Sequence, residues 1–166
     1  SGHNLKEITA ARNNNDKGES YFMNLFELCS SLMQLIVSCS KPVIAEVDGI
    51  ATAAGCQLVA SCDLAISSNT AKFATPGVNI GLFCSTPMVA LSRNVSKKEA
   101  MKMLLTGDMI DAVEAKRISL INDYVSEDKL EESVNNLALK ISKKSSMTVK
   151  IGKEAFYKQA EMSLSD

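Results

Sequence analysis

The residues Ala53, Ala54 and Gly55 are the first place in this 166-residue sequence where residue type and spacing suggest chemistry. They sit inside GIATAAGCQLVASCD (49–63), between a strand-like run and a helix-like run. Small residues at a strand-to-helix turn let another group approach the backbone closely. They also leave the first helical N–H groups free, pointing outward at the positive end of the helix dipole. A carbonyl oxygen resting there is polarised, and an oxyanion formed from it is stabilised. Removing one such donor typically costs a factor of about 10²–10³ in rate. The same residues also suit close helix–sheet packing with no ligand, and at this level both readings stand.

Proton carriers are scarce around this turn. Asp63 is the only carboxylate between residues 49 and 98. It reads as structural, capping or bonding nearby backbone. Gln57 cannot exchange a proton near neutral pH, although it could hydrogen-bond a substrate. Cys84 is a candidate nucleophile, but no nearby His or Lys in the sequence lowers its pKa, so a small apolar role fits better. Ser85, with Thr75 and Asn79, could orient a water. The five cysteines (Cys29, Cys39, Cys56, Cys62, Cys84) are odd in number and form no CxxC, and His3 is the single histidine. No metal site is expected from that set. Reduced thiols in an intracellular compartment fit it best.

The elements that must position these residues follow from periodicity. Phe22, Leu25, Phe26, Leu28, Cys29, Leu32, Leu35 and Ile36 recur at helical spacing, predicting a long amphipathic helix ending near Ser40, before Pro42. VIAEV (43–47) predicts a buried strand, Asp48-Gly49 a turn, then a helix through Leu58–Ser61 and a strand at LAISS (64–68). Residues 74–88 hold two Pro, two Gly and no charge, predicting a long loop that packs over something. Ser96 to Glu99 reads as a capping box, Thr106-Gly107 as a helix stop and Asp111 to Glu114 as a further start. LINDYV (120–125) reads as a short strand, and helices are expected around Leu130–Ile141 and from about 146 to 159. The fold class is therefore α/β with a parallel βαβ unit, whose ligands gather at strand carboxyl ends.

Bulk properties exclude several functions. The net charge of −1 gives no long-range attraction to nucleic acid or acidic lipid. Trp is absent and aromatics make up 5% of the chain, so base-stacking platforms are not expected. The pair Lys143, Lys144 reads as a solvated helix end. No apolar run is expected to reach membrane-spanning length, and no signal peptide opens the chain. The opening Ser-Gly-His reads as a cut through a longer protein.

KPVIAEVDGIATAAGCQLVASCDLAISSNTAKFATPGVNIGL (41–82) resembles the enoyl-CoA hydratase/isomerase (crotonase) superfamily. The shared pattern is K-P-x-I-A-x-V-x-G, then small-small-G-C-x-L, C-D-x-A-I, A-x-F and P-x-x-x-x-G-L. LLTGDMIDAVEAKRISLINDYV (104–125) resembles the next segment of that family, and SGHNLKE its G-x-D-L-K loop, with Asn4 in place of Asp. The resemblance implies a crotonase-like spiral core of ββα units with a parallel sheet and following helices, incomplete at both ends. It is one partial domain over 1–166, with a core about 41–125 and C-terminal helices about 126–160.

The resemblance also implies that backbone N–H groups of His3 and Ala54, beside Gly55, hold a thioester oxygen. It puts Lys6 near the CoA nucleotide. Acyl-CoA is then the ligand, with no further cofactor, no metal and no nucleic-acid partner. A homotrimer or hexamer and a mitochondrial location are expected from the family. Hydratases of the family use two glutamates, and the matching positions here are Gln57 and Gly77. Ordinary hydration and isomerisation therefore lose their proton carriers. Three readings stand: an acyl-CoA enzyme with other chemistry, a catalytically inactive acyl-CoA binder, and an interaction subunit of a crotonase assembly.

Overall fold

Two layers of short strands carry the turn described above. The computed structural model describes residues 2–166. Strand β1 (Ile44–Val47) turns through Asp48-Gly49 into β2 (Ile50–Thr52), which leads through Ala53 into helix α1 (Ala54–Ser61). The cycle then repeats with β3 (Leu64–Ser68) and β4 (Lys72–Ala74). β1 pairs in parallel with β3, Ile44 opposite Leu64, and β2 pairs in parallel with β4, Ile50 opposite Lys72. Each ββα unit thus adds one strand to each of two sheets, which is the expected spiral. β5 (Ile110–Asp111) joins β4 antiparallel, and β6 (Asp123–Val125) joins β3 in parallel.

The sequence reading differed from this in four places. A second strand, β2, lies between the Asp48-Gly49 turn and the helix. Its three residues are too few for a periodic signal. Residues 74–88 are not one loop: β4 ends at Ala74, Pro76–Ile80 form a 3-10 turn, and a helix begins at Ser85. Asn4 caps a short helix, Leu5–Ala11, by accepting the Lys6 N–H at 3.1 Å. The expected capping box holds in one half only. The Ser96 hydroxyl accepts the Glu99 N–H at 3.4 Å, while the Glu99 carboxylate pairs with Arg117 at 2.7 Å. The stop at Gly107 is as expected, with φ +67° and its N–H bonded to the Met103 carbonyl.

The long helix α2 (Glu19–Ser38) lies over α1. By length and composition it is apolar enough to cross a membrane, contrary to the expectation that no run would be. In this fold it covers the turn instead, as described below. Behind the turn, Phe73, Leu91, Leu104 and Cys56 are fully buried in the main core.

Helix α3 (Ser146–Gln159) buries no residue and docks through one polar hub. Lys153 Nζ donates to Asp63 Oδ2 at 2.7 Å and to the Ile36 and Lys41 carbonyls at 2.9 and 3.1 Å. The Tyr157 hydroxyl donates to Asp63 Oδ1 at 2.9 Å, and the Val43 N–H to Oδ2 at 2.7 Å. Asp63 has the structural role expected of it, and it reaches further than its own strand.

Candidate functional site

Ala53 is the pivot of the site. It has φ +50° and ψ −118°, a conformation L-residues rarely adopt. Such strain costs on the order of 1–3 kcal/mol and persists only where neighbours impose it. Here the Ala53 N–H is fixed to the Ala74 carbonyl at 3.0 Å, and the Ala53 carbonyl accepts the Gln57 N–H at 2.9 Å. The turn starts α1 abruptly at the end of β2. The first-turn N–H groups of Ala54 and Gly55 find no acceptor among the described residues.

The start of the chain sits against this turn. A Cβ built on Gly2 would lie 3.0 Å from Ala53 Cβ and 3.7 Å from the Ala54 nitrogen. Small residues on both sides therefore bring the two backbone segments together. His3 follows, with its ring edge-on to Phe26 at 6.3 Å. Its N–H likewise has no acceptor among the described residues.

A cavity of about 290 Å³ opens here. Gly2, His3, Ala54 and Gly55 line one side of it. Leu25, Leu28, Leu32 and Met33 of α2, with Leu58 of α1, form its apolar wall, and Cys29 lies among them. The arrangement suits a ligand with one polarisable oxygen and an apolar tail.

The structure thus gathers His3, Ala54 and Gly55 in one place. The remaining candidates lie elsewhere. Lys6 is exposed on the first helix and does not line the cavity. Ser85 is exposed at the start of its helix. Cys84 is buried in the core, where its sulfur accepts the Gly77 N–H at 3.3 Å. Its neighbour Cys56 has a thiol pushed up to about 12, first by burial and then by Cys84. Neither is poised as a nucleophile. Gln57 is buried beside the turn. Among the described residues no group of three or more His, Cys, Asp or Glu could hold a metal ion.

Gly77 sits where the backbone leaves no room for a side chain. A Cβ there would lie 2.4 Å from the Leu82 carbonyl oxygen and 2.8 Å from Cys84 Sγ. Backbone closes the space a glutamate would need. The α2 wall was missed in the sequence reading. The signal was there: Leu25, Leu28, Cys29 and Leu32 belong to the apolar stripe already noted, and only Met33 is added to it.

The family model described as enoyl-CoA hydratase/isomerase matches residues 1–166. The chain belongs to this family. Within it, the chain is 52% identical to enoyl-CoA hydratase domain-containing protein 3, mitochondrial, of Xenopus laevis, covering 100% of this chain and 55% of that protein. The human protein of the same name is 49% identical, over 99% of this chain and 52% of its own length. The crystal structure of human enoyl coenzyme A hydratase domain-containing protein 3 superposes with a TM-score of 0.92 at 48% identity, covering 99% of this chain and 62% of that one. An enoyl-CoA hydratase of Mycobacterium smegmatis gives the same TM-score at 45% identity, with 99% and 62% coverage. The chain spans about half the length of the curated relatives it matches. The family's fold is therefore present with its two-layer spiral.

Proposed function

We propose that this chain binds an acyl-CoA thioester, holding its carbonyl oxygen on the backbone N–H groups of His3 and Ala54. One observation carries the reading: His3 and Ala54, from two separate segments and each with a free amide, line a single cavity whose other wall is apolar. The amides polarise the carbonyl, and the α2 wall takes the acyl chain. Because only main-chain groups act, the side chains at 3 and 54 are free to vary. Lys6 is proposed to meet the CoA nucleotide from the adjacent helix.

Hydration is not the proposed activity. It needs a base to activate water and an acid to protonate carbon, and Gln57 and Gly77 supply neither. A step that needs only polarisation of the thioester, such as decarboxylation, suits the site better. The alternative reading is a catalytically inactive acyl-CoA binder or an interaction subunit of a crotonase oligomer. The carboxylate-free window and the exposed apolar surface of α3 favour it. We extend the relatives' mitochondrial location to this chain as part of the proposal.

The test is calorimetric titration with a non-reactive acyl-CoA analogue beside free CoA. Saturable binding that prefers the acyl form is expected, and Ala54→Pro, which deletes one N–H, should weaken it at least tenfold. Equal affinity for free CoA in a folded chain would overturn the oxyanion role of the turn.

A further inference from the structure

Main-chain groups alone hold the carbonyl, which leaves two reactive side chains of the cavity unused by binding. Of the ten described residues that line it, Cys29 carries the one nucleophile and His3 the one base. The others are glycine, alanine, leucine and methionine. Cys29 is also the one cysteine of the five that reaches the cavity. Cys56 and Cys84 are buried in the core, and Cys39 and Cys62 lie outside the lining.

The two side chains meet on α2. Cys29 sits in the middle of the apolar wall, on the side facing the amides of His3 and Ala54. The His3 ring stands edge-on to Phe26 at 6.3 Å. Phe26 and Cys29 are three residues apart on the helix, so their Cβ atoms lie roughly 5–6 Å apart on one face. The imidazole is therefore packed on the turn of α2 that leads to the thiol. Burial pushes the Cys29 thiol up, so it needs a base before it can act as a nucleophile. Pairs of this kind commonly draw together only once substrate is bound.

We infer that Cys29 is a catalytic nucleophile that takes the acyl group from the bound thioester and releases CoA, with His3 as its general base, an inference that rests on the acyl-CoA reading above. The Cys29 sulfur attacks the carbonyl carbon, and His3 takes the thiol proton as the new S–C bond forms. The carbonyl oxygen becomes an oxyanion on the His3 and Ala54 N–H groups. Collapse breaks the bond between that carbon and the CoA sulfur. His3 returns the proton to CoA, which leaves as a free thiol. One thioester replaces another, so no oxidant or reductant is consumed and excess CoA reverses the step.

The experiment incubates the chain with butyryl-CoA and follows intact mass, released CoA thiol and the acylated peptide. A single butyryl group should be found on Cys29, matched by an equal amount of free CoA thiol. The rate should saturate with ester concentration, and added CoA should strip the acyl group again. At saturating ester, His3→Gln, which keeps the main-chain N–H, should slow labelling by roughly a hundredfold or more, the usual share of a general base. Cys29→Ala should abolish it. Localisation in the unmodified chain decides the matter should either variant fail to fold. An unchanged rate in His3→Gln overturns the base assignment. Acyl groups spread over Cys39 and Cys62 as well would mark direct attack from solvent and overturn the inference. A folded chain that binds the non-reactive analogue but gains no acyl group also overturns it and leaves acyl-CoA binding standing. A folded chain that neither binds nor gains the group overturns both.

Discussion

The hydrogen at Gly77 is as consequential as any side chain in the site. A methyl group there meets the Leu82 carbonyl oxygen and the Cys84 sulfur. Gly77→Ala should therefore lose about 1–3 kcal/mol of stability, the usual cost of overpacking; an unchanged urea midpoint would show that this loop yields freely. Cys56 makes a second prediction. An unfolded thiol ionises near 9.0, whereas the buried one holds its proton to about 12. The folded state then binds more protons across that window. Stability should be intact below pH 9 and fall as pH rises from about 9 toward 12, by at most about 1.4 kcal/mol per pH unit from this group. Burial and the Asp63 hydrogen bond raise Tyr157 as well, with the same sign at higher pH. Cys56→Ala should flatten the decline in urea midpoint between pH 8 and 10.5, and a slope equal to that of the parent would count against this assignment. The small residues at 53–55 were legible because their chemistry is local. The meeting of His3 and Cys29 in one cavity was not, because it depends on neighbours far along the chain.

At the scale of elements, the hub at Asp63 decides where α3 goes. The Lys153 and Asp63 side chains are 7% and 14% exposed, so their pairing is sheltered from water. Removing one partner strands a buried charge, a loss of about 3–5 kcal/mol. Lys153→Met should release α3, read as rapid proteolysis near Ser145 and a fall in helical circular dichroism. Tyr157→Phe should do so only partly, and Lys153→Met combined with Asp63→Leu should recover some of the loss. Retention of protected helix in Lys153→Met would assign the docking to other contacts. Sequence periodicity showed that α3 is helical but not where it lies. A hub joining Ile36, Lys41, Val43, Asp63, Lys153 and Tyr157 leaves no periodic trace. β2 escaped for a different reason: its identity as a strand rests on pairing with Lys72–Ala74. The long helix and the longer strands were legible because each carries its own amphipathic or apolar pattern.

At the scale of the molecule, apolar surface remains uncovered. Met147, Ile151 and Phe156 on α3 are exposed, as are Met23, Leu28 and Leu35 on α2. β1 and β2 stand at the ends of their sheets, paired on one side only. Patches of this kind drive association. The chain should sediment as a concentration-dependent oligomer, and Ile151→Glu with Phe156→Lys should shift it toward monomer. A single monomeric boundary across a hundredfold range of concentration would contradict this. The spiral itself was legible through the family resemblance, since strand order cannot be read from spacing alone.

The crowding at Gly77 also bears on how sequences of this kind can change. A chain with an open position there could gain a carboxylate in one substitution and be selected on the activity that follows. In this chain the Leu82 carbonyl and the Cys84 sulfur must move first, and that rearrangement brings no activity of its own. The backbone thus resists any side chain at this position, and a carboxylate there asks for more than one substitution.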